Sequence, residues 1–452
     1  MVEKALNYAK QHEEQFLEDL RYLVRQPSIA AQDKGVKETA EMVKKMMEDV
    51  GVQADIVPVE GGQPVVYGHL DAGRSRTLLF YDHYDVQPPE PLDEWSHPPF
   101  GGEVHDGSLY ARGVSDNKGN IVARLKAIEA FIKTAGTVPV NIKFVIEGEE
   151  EIGSVNFHKF VEAERARLAS DAVIWESGSR DVSGRPTITF GNKGICYIQL
   201  DCRGANQDLH SSRAAIVENP AWRLVQALAT MKDLETDRCL VGGFYDDVLP
   251  PTAREIEMME KNPVDEKETL AQLGLRGFLL ELTGIELSKK LLYQPTCTIC
   301  GLWSGYTGQG TKTVMPKEAH AKIDHRLVPN QTALDIFEKV KRHLAKHGFA
   351  DIQIQLLSHE DPGQSSLDAP IVPVILETAR TTYGVEPVVN PRSAGSGPMY
   401  LFNRLLGIAT ISGVGVGYYK SGAHAPDEHI RLEDYHKGIE HVIRIMAEFG
   451  KA

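Results

Sequence analysis

Short apolar runs alternate with segments of helical periodicity along the first part of this chain, and that alternation restricts the fold more than any other feature. Residues 54–59, 64–70, 77–81, 138–146 and 172–175 read as strands, while 2–25, 39–50 and 120–134 carry apolar residues at helical spacing. Gly51 and Gly136 stand where the second and third helical patterns stop, as left-handed C-caps do. Strands interleaved with helices predict an α/β fold whose mostly parallel sheet is flanked by helices.

Near Phe190 the pattern changes. Strand signals over 187–201, a helix over 220–231 behind Asn219, a strand over 319–327, a helix over 332–347 and a strand over 352–358 form a β-α-β-α-β run. An acidic helical insertion occupies about 252–292, and from about 369 the first style resumes. The organisation expected is one domain interrupted by another: an outer α/β domain from 1–188 and 369–452, and an inserted α+β domain from 189–368.

Charge narrows the function classes. The 49 Lys and Arg against 63 Asp and Glu leave a formal net charge of −14. Phosphate backbones and anionic lipid surfaces are held by clustered cations, so neither nucleic acid nor membrane is an expected partner. The five cysteines are odd in number and widely spread, unlike a disulfide framework, and Cys297-x-x-Cys300 has no second pair to complete a zinc site. The first twenty residues lack the apolar core of a signal peptide, so the expected compartment is the cytoplasm.

Chemistry-bearing residues gather where the outer domain's strands end. LLFYDHYDVQ (78–87) ends a strand with His83 and Asp85 two apart, on one side of an extended backbone. ARGVSDNKG (111–119) sets Asp116 in a glycine-flanked turn before a helix, where helix capping is the plain alternative. EGEEEIGS (147–154) follows an apolar strand with three consecutive glutamates, otherwise a solvated acidic turn; AVIWESG (172–178) ends in Glu176, and KSGAHAPDEH (420–429) carries His424. Each signal is weak by itself. Together they supply two imidazoles and several carboxylates without thiolate, a donor set suited to zinc, manganese or cobalt.

In this order and spacing the motifs resemble the dinuclear-zinc M20 metallopeptidase family, which includes carnosinase-like dipeptidases, carboxypeptidases and N-acyl-amino-acid deacylases. The resemblance runs from His83 to His424. It implies a metal-bearing catalytic domain interrupted by a lid or dimerisation domain, two divalent cations with zinc foremost, and a homodimer formed through the lid. By the same resemblance the metal ligands are His83, Asp116 (bridging), Glu151, Glu176 and His424, with Asp85 supporting His83 and Glu150 as general base. The run Glu149-Glu150-Glu151 permits a second register, one position earlier. DLHSS implies that His210 reaches the partner's active site to hold the oxyanion, and HRLVP that Arg326 binds a substrate carboxylate. SAGSGP (393–398), with Ser396, resembles the loop near the substrate terminus but departs from the common Gly-Gly-Ser-Ile-Pro form.

The reaction implied is hydrolysis of an amide by a metal-bridged water, with Glu150 as the proton carrier. The long stretch PTCTICGLWSGYTGQGTKTVMPKEAHAKIDHRLVP from Pro295, together with HYDVQP and EGEEEIGS, resembles the dipeptidase branch. Glu176 points the other way, because dipeptidases tend to carry Asp there and carboxypeptidases and desuccinylases Glu. Dipeptides or small peptides are therefore the expected substrates, with carboxypeptidase or N-acyl-amino-acid amidohydrolase activity second. A fold-retaining scaffold that binds no metal is the non-enzymatic alternative. The sequence carries neither GxGxxG after a strand nor GxxxxGK[ST], which argues against a dinucleotide or P-loop enzyme.

Overall fold

The computed structural model describes all residues, 1–452. They divide into two compact units: the first comprises 1–191, 364–391 and 401–452, the second 192–363 and 392–400. Residues 392–400, read from sequence as part of the outer domain, thus group with the inserted unit. The reason is local: Asn192 donates its side-chain amide to the Gly397 carbonyl at 3.0 Å, and the Lys193 N–H bonds Gly395 O at 2.8 Å.

The first unit is built on an eight-stranded sheet in the order Gln53–Val57, Val65–Leu70, Asn141–Glu147, Thr77–His83, Ala172–Trp175, Thr410–Ser412, Thr187–Thr189 and Val388–Asn390. Four neighbouring pairs are parallel, including the three at the centre, and three are antiparallel. The central strand Thr77–His83 is buried along nearly its whole length, as a sheet covered on both faces requires. Its side chains alternate between two helical layers. Phe80 and Asp82 meet Arg124 of the helix Lys118–Ala135, while Tyr81 packs its ring 5.6 Å from Phe157 on the helix Phe157–Ala163. Helices Val2–Gln11, Lys118–Ala135, Ile371–Tyr383 and Leu432–Phe449 pack together on the first of these layers.

The helix expected over 2–25 is two, Val2–Gln11 and Glu13–Val24, because His12 leaves helical geometry at φ −118° and ψ 20° and bonds Tyr8 O through Nδ1 at 2.8 Å. The loop region 88–107 also holds more order than its Pro and Gly content suggests. Glu103–His105 pairs with Ser108–Tyr110, and His429–Arg431 adds a third strand.

The second unit carries an antiparallel sheet in the order Thr298–Ser304, Glu318–Leu327, Gly194–Arg203, Gln353–Glu360. Strict alternation in Glu318–Leu327 buries Ala319, Ala321, Ile323 and Leu327 in a core shared with Leu224, Ile336 and Val340 from helices Pro220–Ala229 and Ala333–Lys346. Arg326 points to the opposite face. The insertion at 252–292 is helical, opening at Ala253–Lys261 behind a capping box in which Thr252 and Glu255 satisfy each other's backbone N–H. The edge strand Thr298–Ser304 was not legible beforehand, since it leaves Ile299, Leu302 and Trp303 exposed. All five cysteines are free thiols, and no helix is long and apolar enough to cross a membrane.

One titration in the fold is testable. His441 is fully buried against the Thr378 hydroxyl at 3.2 Å, and burial lowers its pKa from 6.5 to about 4. Between those values the unfolded chain binds a proton that the folded one refuses, so this group's contribution to stability falls as pH falls. The stability difference between wild type and His441→Leu should shrink by about 3 kcal/mol from pH 6.5 to pH 4, read by urea unfolding across that range.

Candidate active site

The site lies where three central parallel strands end. Register places His83 beside Glu147, and Tyr81 beside Trp175, so the residues that follow each strand emerge at one edge of the sheet. That carboxyl edge is where open α/β sheets bind ligands. Behind Glu176 the chain runs against the loop 413–415 so tightly that a Cβ on Gly178 would sit 2.4 Å from the backbone of Gly413 and Gly415. Only glycine fits there.

Asp116 is the centre of the cluster. One carboxylate oxygen lies 3.1 Å from His83 Nε2 and the other 3.1 Å from His424 Nε2. His83 Nε2 also lies 3.6 Å from Glu176 Oε2, and His424 Nε2 lies 3.1 Å from Glu151 Oε2. Ligand atoms of His83, Asp116 and Glu151 fall within 4.8 Å of one another. Asp85 stands behind them: one of its oxygens lies 3.5 Å from His83 Nδ1, and the carboxylate accepts the backbone N–H of Glu150 at 3.2 Å and of Glu151 at 3.0 Å. An imidazole held this way from behind has its ring orientation set for a ligand on the other nitrogen.

The three consecutive glutamates divide between two environments. Glu149 accepts backbone N–H bonds from Gln63 and Asn156, each at 3.1 Å, and is consumed in holding the turn. Glu151 faces His424 and accepts from Gln87 Nε2 at 2.9 Å. Glu150 lies within electrostatic reach of Glu176, His83, Glu151 and Asp116. This division favours the register in which Glu150 and Glu151 face the cluster.

The electrostatics describe a site short of positive charge. Burial, reinforced by Glu176, Glu151 and Asp116, pushes the Glu150 carboxyl well above its ordinary range. Burial likewise raises Glu176 to about 7, against the pull of His83. Hydrogen bonds to Asp116 and Glu151 raise His424 to about 10. Burial opposes charge on His83, but hydrogen bonds to Asp116 and Asp85 outweigh it and hold the ring's pKa well above normal. Burial also opposes charge on Asp116, yet His424 and His83 together hold it well below the usual carboxylate range. Glu151 Oε1 and Glu176 Oε2 are buried without hydrogen-bond partners. Orphaned carboxylate oxygens beside two imidazoles fit a pair of divalent cations, which would replace the imidazole protons as the counter-charge.

The remaining sequence-derived residues belong to the second unit. His210 is exposed, and its Nδ1 accepts the Ser212 N–H at 3.2 Å, so the neutral ring keeps its proton on Nε2. Arg326 donates to Asp324 Oδ2 at 3.0 Å and to Ser396 Oγ at 2.9 Å, which brings the two residues read as substrate-binding into contact.

Residues 79–448 match the sequence model of Peptidase family M20/M25/M40. The chain belongs to that family. It is therefore an enzyme, a metal-dependent hydrolase of peptide bonds. Among solved structures it is similar to an M20 family metallo-carboxypeptidase from Sulfolobus solfataricus, with 40% identity, a TM-score of 0.92 and coverage of 97% of this chain and 99% of that one. It is 27% identical to human β-Ala-His dipeptidase, covering 97% of this chain and 91% of the relative. A Cys-Gly metallodipeptidase from Candida albicans is also 27% identical, over 97% of this chain and 95% of that protein.

Sequence reasoning missed the group that places Asp116. Glu428 is fully buried and accepts four N–H bonds: Gly113 at 2.9 Å and Arg112 Nη1 at 2.8 Å on one oxygen, Ser115 at 2.9 Å and Asp116 at 3.1 Å on the other. Burial raises Glu428 to about 7 against the opposing charge of Arg112. The only signal was its position four residues after His424, in a segment rich in charge.

Proposed function

We propose that the chain hydrolyses dipeptides or small peptides with two divalent cations, zinc foremost, in a cytoplasmic homodimer. The observation that carries this reading is Asp116, whose two oxygens face His83 and His424 separately. His83 and Glu176 would hold one cation, His424 and Glu151 the other, with Asp116 shared between them. Bound there, the pair would polarise the scissile carbonyl and acidify a water molecule. Glu150 takes the proton of the attacking water and returns it to the leaving amine. His210, with its Nε2 proton outward, donates to the developing oxyanion in the partner's site, and Arg326 with Ser396 orients the substrate carboxylate. Exposed Ile299, Leu302 and Trp303 on the edge strand Thr298–Ser304 support pairing of two lids.

Chelation should abolish hydrolysis, and zinc, cobalt or manganese should restore it. A substrate panel of free dipeptides, N-blocked dipeptides and N-acyl amino acids tests the specificity. Free dipeptides should have the highest kcat/KM; activity confined to blocked or acylated substrates overturns the dipeptidase reading. The carboxypeptidase reading is kept as the second, because the metallo-carboxypeptidase is similar at 40% identity and Glu176 agrees with it.

A further inference from the structure

A second group of metal-ligating side chains stands outside the main cluster. His97, Glu103 and His105 present one ligand atom each, all within 4.8 Å of one another. His105 Nε2 lies 3.0 Å from Glu103 Oε2, and His97 Nδ1 lies 3.9 Å from the same oxygen. A tetrahedral zinc ion with bonds of about 2.0–2.1 Å sets its ligand atoms roughly 3.3 Å apart, between these two spacings.

The three side chains are held in place by the sheet around them. Glu103 and His105 alternate onto one face of the strand Glu103–His105, and cross-strand register aligns Glu103 with Tyr110 and Tyr110 with His429. The His97 ring stacks on His105 at 4.1 Å and 20° and leans on Tyr110 at 4.3 Å, while Tyr110 stacks on His429 at 4.7 Å. The backbone N–H of His97 is tied to Asp427 Oδ1 at 3.3 Å, and that of Ser96 to the same oxygen at 2.8 Å. Stacking sets the two imidazole planes nearly parallel, so an ion shared by both requires one ring to turn out of the stack. The side chains, 23%, 44% and 46% exposed, leave room for that turn and an approach for an ion from solvent.

We propose that His97, Glu103 and His105 form a further divalent-metal site, for a cation of the zinc type. Two imidazoles and one carboxylate select borderline transition cations over calcium or magnesium, which prefer all-oxygen shells. A cation there would cross-link the turn 98–102 and clamp it, through Asp427, beside Glu428 and the loop that carries His424. The proposal does not rest on the reading of the main site, because it concerns one additional equivalent of metal.

The test is zinc stoichiometry of the full-length protein after dialysis against buffered zinc, with His97→Gln, Glu103→Gln and His105→Gln in parallel. Wild type should retain one equivalent more than each variant, and all four proteins should keep peptidase activity within twofold. Calcium in excess should leave the extra equivalent in place. Equal zinc content in wild type and all three variants overturns the proposal, as does displacement of the extra equivalent by calcium. Loss of catalytic zinc in every protein alike would count against the main-site reading and leave the one-equivalent difference intact.

Discussion

Glu150→Gln should lower kcat by about 10²–10⁴-fold while the protein keeps its full complement of catalytic metal. The amide matches the carboxylate in size but cannot accept a proton at neutral pH. The turn should survive, because Asp85 grips it through the backbone N–H groups of Glu150 and Glu151 and not through the Glu150 side chain. Burial and three acidic neighbours hold the Glu150 carboxyl well above its ordinary range; bound cations would bring it back down by their positive charge. A base of the proposed kind acts on the moving proton and not on the ground state, so KM should change little. Elemental analysis beside steady-state kinetics separates the roles of the adjacent residues. Glu151→Gln, which alters the oxygen facing His424, should lose metal as well as activity. Near-normal turnover of Glu150→Gln, or loss of its metal, would overturn the assignment of Glu150 as base.

Most of the first unit's layer was legible because its strands obey local rules. The run over 172–175 matches the observed strand, and the pattern over 77–81 needed only extension to His83. Apolar runs bounded by glycine and acid carry that information in a few consecutive residues. What lay beyond reach depends on pairing between distant segments. The strand His429–Arg431 exists through its register with Ser108–Tyr110, more than three hundred residues earlier, and three residues hold no periodicity to detect. The same limit applies to the site. His83 and Asp116 could be read only from the joint order of the motifs, each weak by itself, whereas the three glutamates offered two registers that the contacts of Glu149 with Gln63 and Asn156 help to distinguish. Glu428 was invisible for a related reason: a buried acid with four donors looks, in sequence, like any charged loop residue.

That residue supports the second large effect. Glu428→Gln should lower global stability by about 3–5 kcal/mol, the usual consequence of leaving one member of a buried ion pair uncompensated. Arg112 and Glu428 are each about 1% exposed and 2.8 Å apart, so water cannot replace the missing charge. The amide adds a second cost. All four groups facing the carboxylate are N–H donors, and an NH₂ placed among them confronts at least one donor with another. Catalytic metal should also bind more weakly, because the Arg112 guanidinium claims the one remaining oxygen and turns the NH₂ towards the N–H groups of Ser115 and Asp116. The double variant Arg112→Met/Glu428→Gln tests both effects. It removes both charges, so unfolding experiments should show part of the stability returning. Metal affinity should return with it, because without the guanidinium the introduced amide can turn its oxygen to the N–H groups of Ser115 and Asp116. Were stability to return while metal affinity stayed low, the oxygen facing Asp116 would not be what places it.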